Sequence, residues 1–221
     1  MQFVDRAEAG ARLAKAVGAL GLADLVVLAL PRGGVPVAAP VAEALGAPLD
    51  LVMVRKIGVP GHSELAAGAV VNGAAHQVVW NAAILRDLGL SAADLQGEVE
   101  AQLALIERRR GLYLDGRAPV AVSGRDVVLV DDGIATGVTV KAALKGLKAR
   151  EVASVTLAVP LAPHSAVAEF TPLVGRFICL TTPEPFYAVG QGYLNFGQTS
   201  DKEVVALLRQ AAGRTGKGSG L

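Results

Sequence analysis

Cysteine is nearly missing from this chain: Cys179 is the single one in 221 residues, so no disulfide can form within it. Cys179 sits in the apolar run RFICL and reads as a small buried thiol rather than a nucleophile. Histidine is scarce too, and His62, His76 and His164 show no spacing that would ligate zinc. Neither charge dominates, since 21 lysines and arginines face 20 acids for a net charge of +1. A broad nucleic-acid or membrane footprint is thereby not expected, and any phosphate site must be local. The mean hydropathy is +0.45, yet no run approaches the ~20 uninterrupted apolar residues of a spanning helix. The first residues, MQFVDRAEAGARLAKAVG, carry acids and lack an apolar core with a cleavage site, so they do not read as a signal peptide, and the expected compartment is the cytoplasm.

What is abundant is aliphatic: 52% of residues are hydrophobic and 19% charged, enough for a full core. One domain is expected over 1–212, with a disordered glycine-rich tail over 213–221. Short apolar runs at 25–30, 49–54, 127–130, 155–159 and 176–180 read as buried parallel strands. Helical patterns at 6–20, 35–45, 138–148, 165–170 and 202–211 alternate with them, which predicts an α/β sheet wrapped by helices. A long excursion, 57–124, breaks the alternation. It opens with a glycine-rich loop (57–68), continues with extended pieces near 69–71 and 77–80 that could pair, and ends in a helix. Ser91 with Asp94 resembles a capping box there, Leu95, Val99, Leu103 and Ile106 form an apolar stripe, and Glu107 to Arg110 read as a solvated face.

The chemistry concentrates in VVLVDDGIATGVTV, residues 127–140. Asp131 and Asp132 fall at the carboxyl end of a buried strand, the edge where open α/β sheets bind ligands. The turn that follows, with Gly133, Ala135, Thr136, Gly137, Val138 and Thr139, exposes main-chain N–H groups and opens a helix, an arrangement that accommodates a phosphate. The two acids would repel that phosphate. They suit vicinal sugar hydroxyls or a bound Mg²⁺ instead. The competing reading is that one acid merely caps a turn.

This segment resembles the signature of the type I phosphoribosyltransferases: an apolar strand, two acids, two mostly apolar residues, then Thr-Gly and a threonine. The resemblance extends over most of residues 1–212 and points to a bacterial branch of the family. It implies an α/β fold with a mostly parallel twisted sheet flanked by helices, a flexible catalytic loop and a small hood. It also implies binding of 5-phosphoribosyl 1-pyrophosphate (PRPP) with Mg²⁺ and phosphoribosyl transfer to a nucleobase-like nitrogen acceptor. Asp131 and Asp132 would hold the ribose or the metal, directly or through water. Arg32, Gly33 and Gly34 match the pyrophosphate loop, although a plain strand-to-helix turn would look alike. Arg55 and Lys56 open what resembles the mobile catalytic loop, where Lys56 would stabilise the departing pyrophosphate; solvated strand-end charges are the alternative. Phe186, Tyr187 and Tyr193 lie in FYAVGQGYLNF, which resembles an acceptor-side loop, while core packing or a subunit contact would account for the same aromatics. The stretch VPLAPHS lacks the lysine that purine enzymes of the family place there, so the acceptor stays open. A homodimer is left open as well. The rival function is a sensor of PRPP or a nucleotide, with the same fold and no turnover.

Overall fold

The computed structural model describes residues 2–60, 62–72 and 76–215. In chain order its elements are α1 (Arg6–Gly18), β1 (Leu25–Ala29), α2 (Gly34–Ala44), β2 (Leu49–Leu51), β3 (Val54–Val59), β4 (His62–Val71), β5 (Gln77–Trp80), α3 (Ala82–Asp87), α4 (Gln96–Leu114), β6 (Asp126–Val130), α5 (Val138–Lys148), β7 (Ser154–Leu161), α6 (His164–Phe170), β8 (Arg176–Thr181) and α7 (Asp201–Thr215). Packing separates two compact units. The first holds the residues up to Leu51, Val120–Gly137 and those from Glu151 onward; the second holds Val52–Pro119 and Val138–Arg150.

The first unit is built on a five-stranded sheet of order β2-β1-β6-β7-β8, parallel at every pairing. β1 is buried along its whole length and β6 over Val127–Val130, which is why these runs show no alternation of apolar and polar residues. From β1 the chain steps outward to β2, whereas from β6 it proceeds the other way to β7 and β8. The sheet therefore reverses its winding between β1 and β6, and the carboxyl ends of those two strands flank the switch point. Asp5 caps α1 by accepting from the Glu8 N–H, and Ala9, Leu13, Ala14 and Val17 form that helix's buried face.

The second unit has an antiparallel sheet of order β3-β4-β5 with α3, α4 and α5. The pairing expected between the pieces near 69–71 and 77–80 is present, with Val71 opposite Gln77 and Gly68 opposite Trp80. Two local expectations change. The run 49–54 splits, since β2 ends at Leu51 and β3 begins at Val54. The stretch 57–68, expected as loop, lies mostly in the β3–β4 hairpin, whose register slips between Ile57 and Val59. Ser91 and Asp94 bond reciprocally as a capping box would, with Asp94 Oδ2 accepting from the Ser91 N–H at 2.8 Å. In α4 the charged run divides: Glu107 to Arg109 are solvated, but Arg110 is 8% exposed. Helix α7 continues through Thr215, past the expected start of the tail at 213; residues 216–221 of that tail lie outside the described residues.

Candidate active site

Two turns leave the sheet at its switch point. The first, Pro31 to Gly33, joins β1 to α2, and the second, Asp131 to Gly137, follows β6. The β1–β6 ladder is extended by the Leu30 N–H donating to the Val130 carbonyl at 2.9 Å, which brings the starts of both turns side by side. The approach is close enough to require glycine. A Cβ on Gly34 would lie 2.8 Å from the Val130 carbonyl oxygen, and one on Gly33 would run into the Asp132 carboxylate. Gly34 donates its N–H to the Leu30 carbonyl, so it is the N–H groups of Arg32 and Gly33 that have no partner in the described structure. The Arg32 side chain points toward α7, with Nη1 3.5 Å from Asp201 Oδ1.

In the second turn the Asp132 N–H donates to Asp131 Oδ1 at 2.9 Å, and the Ile134 N–H is engaged by the Leu161 carbonyl. The N–H groups of Gly133, Ala135, Thr136 and Gly137 form no hydrogen bond within the described residues. Ala135 and Thr136 are exposed, so their amides can meet a ligand. Gly137 has a φ of 68°, and a Cβ there would sit 2.5 Å from the ring of the buried Phe170. Val138 and Thr139 follow as the exposed first residues of α5, in the second unit.

The two acids differ. Burial first, and the charge of Asp132 second, hold the Asp131 carboxyl well above the usual carboxylate range. Asp132 is also raised by burial, but the Arg6 guanidinium opposes the shift. Arg6 Nε and Nη2 both reach Asp132 Oδ2, at 2.9 and 2.8 Å. Its Nη1 donates to the Gly197 carbonyl at 2.8 Å, and the guanidinium lies 3.9 Å from the Phe196 ring centre. Sequence reading missed Arg6, because nothing near it marks a helix-start arginine as anything but solvated.

Of the expected acceptor residues, Tyr187 is 83% exposed and Phe186 packs against the cluster of Phe3, Ala9, Leu161 and Tyr193. Tyr193 is 5% exposed; its hydroxyl donates to the Asp132 carbonyl at 2.5 Å and its ring stacks on Phe196. Burial and the nearby Asp132 charge push the Tyr193 phenol far upward, so it stays a donor at every working pH. Arg55 and Lys56 lie on β3 in the second unit, where Arg55 Nε donates to Gln102 at 3.2 Å and Lys56 is exposed. The side chains of His62 and Glu64, which follow in the stretch that resembles the mobile loop, lie outside what is described.

An acidic pair and a turn of unbonded amides thus lie at the switch point of the parallel sheet of an α/β protein, the edge where such sheets bind ligands. The chain belongs to the phosphoribosyl transferase domain family, which it matches over residues 5–169. A Mycobacterium tuberculosis protein named, provisionally, a phosphoribosyl transferase is 47% identical over 209 residues, covering 95% of this chain and 47% of that one. The chain thus spans about half the length of the curated relatives it matches. A crystal structure of a Thermus thermophilus protein is 43% identical and superposes with a TM-score of 0.82, over 95% of this chain and 99% of the other. No helix among the described residues is long and apolar enough to cross a membrane.

Proposed function

We propose that this domain transfers the phosphoribosyl group of PRPP to a nitrogen nucleophile and releases pyrophosphate. The observation that carries the reading is the meeting, at one switch point, of two carboxylates with main-chain amides that have no partner of their own. In the reaction the acceptor nitrogen's electron pair forms a bond to the anomeric carbon. The bond from that carbon to the pyrophosphate oxygen breaks, its electron pair leaves with pyrophosphate, the carbon inverts, and the acceptor nitrogen sheds its proton.

Each residue has a task in this scheme. The amides of Gly133, Ala135, Thr136 and Gly137, with the Thr136 hydroxyl, hold the 5-phosphate; by the sequence motif Val138 and Thr139 continue that cradle. Asp131 and Asp132 accept from the ribose hydroxyls, so that binding energy at the sugar positions the reacting carbon. The Arg32 and Gly33 amides take the pyrophosphate, and the Arg32 guanidinium joins them by leaving Asp201, a long contact that costs little to break. By the resemblance of its sequence to the catalytic loop, Lys56 with Arg55 would stabilise the departing charge, and such a donor is often worth about 3 kcal/mol. Tyr187 and Phe186 offer rings to the acceptor.

The donors present fit Mg²⁺. No group of three or more His, Cys, Asp or Glu that could cage a metal occurs among the described residues, while burial and the Asp132 charge disfavour ionisation of Asp131 more than the nearby Arg6 charge favours it. That suits an ion held by one or two carboxylates together with substrate oxygens. Bound there, Mg²⁺ would neutralise charge on the pyrophosphate.

The test is to incubate the protein with PRPP and Mg²⁺ across a panel of nitrogen acceptors and to measure pyrophosphate. Acceptor-dependent release supports transfer. PRPP binding without release from any acceptor would assign a sensor, and failure to bind PRPP at all would sink both readings.

A further inference from the structure

Resting on the reading above, we propose that Arg6 is a positioning residue for the ribose of PRPP: it fixes the Asp132 carboxylate so that Oδ1 alone faces the sugar, and it ties that carboxylate to the segment 193–197. Arg6 engages Oδ2 with two donors, Nε and Nη2, and no other residue donates a hydrogen bond to Oδ1 among the described residues. The guanidinium is itself held on its other sides, by the Gly197 carbonyl and the Phe196 ring, and the Arg6 side chain is 12% exposed. It therefore cannot swing away without losing several contacts at once.

The Asp132 backbone is fixed from the same quarter. Its carbonyl accepts from the Tyr193 hydroxyl, and Tyr193 packs between Phe3 and Phe196. Phe3 in turn donates its N–H to the Gly192 carbonyl, and its carbonyl accepts from the Leu194 N–H, so the residues just before α1 pair with the residues that carry the tyrosine. A free aspartate would sample several rotamers and lose that freedom on binding sugar. One clamped in advance does not, and the saving appears as affinity. The missing side chain of Gly33 leaves the space beside this carboxylate that the clamped arrangement needs. Lysine could supply charge to Oδ2 but not the planar fork that bonds Oδ2 and the Gly197 carbonyl together.

The experiment compares wild type, Arg6→Gln and Arg6→Lys for affinity toward PRPP and toward inorganic pyrophosphate, which carries no sugar. Arg6→Gln is expected to weaken PRPP by about tenfold or more, as loss of a charge-assisted pair implies, while pyrophosphate shifts by less than about twofold. Arg6→Lys should fall between wild type and Arg6→Gln for PRPP and match wild type for pyrophosphate. Equal losses for both ligands would mean that Arg6 only holds the fold, and unchanged PRPP affinity would mean that it does nothing for the sugar; either overturns the proposal. Should Arg6→Gln not fold, Arg6→Lys carries the same comparison. If wild type itself fails to bind PRPP, the functional reading falls and this one with it, whereas wild-type binding with an indifferent Arg6→Gln removes the assignment of Arg6 alone.

Discussion

The two turns at the switch point both depend on glycine, but for different reasons. In the turn after β1, Gly33 and Gly34 have ordinary backbone angles, and what they provide is room, since their missing side chains let the Asp131 and Asp132 end of β6 come close. In the turn after β6, Gly137 provides conformation as well: its positive φ turns the chain toward α5 while its bare Cα rests on Phe170. The first turn is shaped around the carboxylates that open the second. Substitutions should therefore separate folding from binding according to the turn they hit.

The largest effect is expected from Gly137→Ala. An L-residue in the left-handed region costs roughly 1–2 kcal/mol, and forcing a methyl against a buried ring adds about 1–3 kcal/mol. Urea denaturation should show a loss of about 2–5 kcal/mol in unfolding free energy. A loss under about 0.5 kcal/mol, the level of an ordinary surface change, would mean that the turn relaxes freely and that the comparison fails on this side.

Gly33→Ala should do the reverse. The new Cβ meets the Asp132 carboxylate, side-chain atoms rather than backbone, so the chain can yield by forcing that carboxylate off Arg6. Stability is expected to fall by about 1.5–3 kcal/mol, the worth of a hydrogen bond to a charged group, while PRPP affinity drops by about tenfold or more. Calorimetric titration beside a melting curve checks both. A Gly33→Ala protein that binds PRPP as tightly as wild type would show that the two turns are not fitted to each other.

How much of this was legible beforehand follows the same division. The parallel strands announced themselves because burial on both faces makes a continuous apolar run, and Val26 to Ala29 and Val127 to Val130 are such runs. The position of the acidic pair was legible for the same reason, since Asp131 and Asp132 directly follow the apolar run that forms β6. The β3–β4 hairpin was not, since glycines and a shifted register near Gly58 erase the alternation that marks a strand. Arg6 was hidden for another reason: it acts on Asp132 across 126 residues, and local pattern holds no information about such a pairing. The aromatic segment shows the limit most sharply, because Tyr187 and Tyr193 sit in one motif, yet one is open to solvent and the other is built in behind Asp132.

The smallest expected effect lies within the second turn and concerns its two acids. Among the described residues Arg6 bonds Asp132 and not Asp131, and burial with the Asp132 charge raises the Asp131 carboxyl well above the ordinary range. Such a group binds more protons folded than unfolded between its two pKa values. Stability is then highest below the unfolded value and declines as pH rises toward the folded one. Asp131→Asn removes that decline, so at pH 7 and without ligand the variant should be more stable than wild type by about 0.5–2 kcal/mol. The difference should vanish in acid, below about pH 4, where the wild-type carboxyl is protonated in both states. Asp132→Asn should gain less, because it weakens the contact that holds Arg6. Melting curves across that pH range decide the matter. An Asp131→Asn protein that melts below wild type at pH 7 would mean that contacts to the ionised carboxylate outweigh its burial, and the proposed division between a strained Asp131 and a clamped Asp132 would be lost.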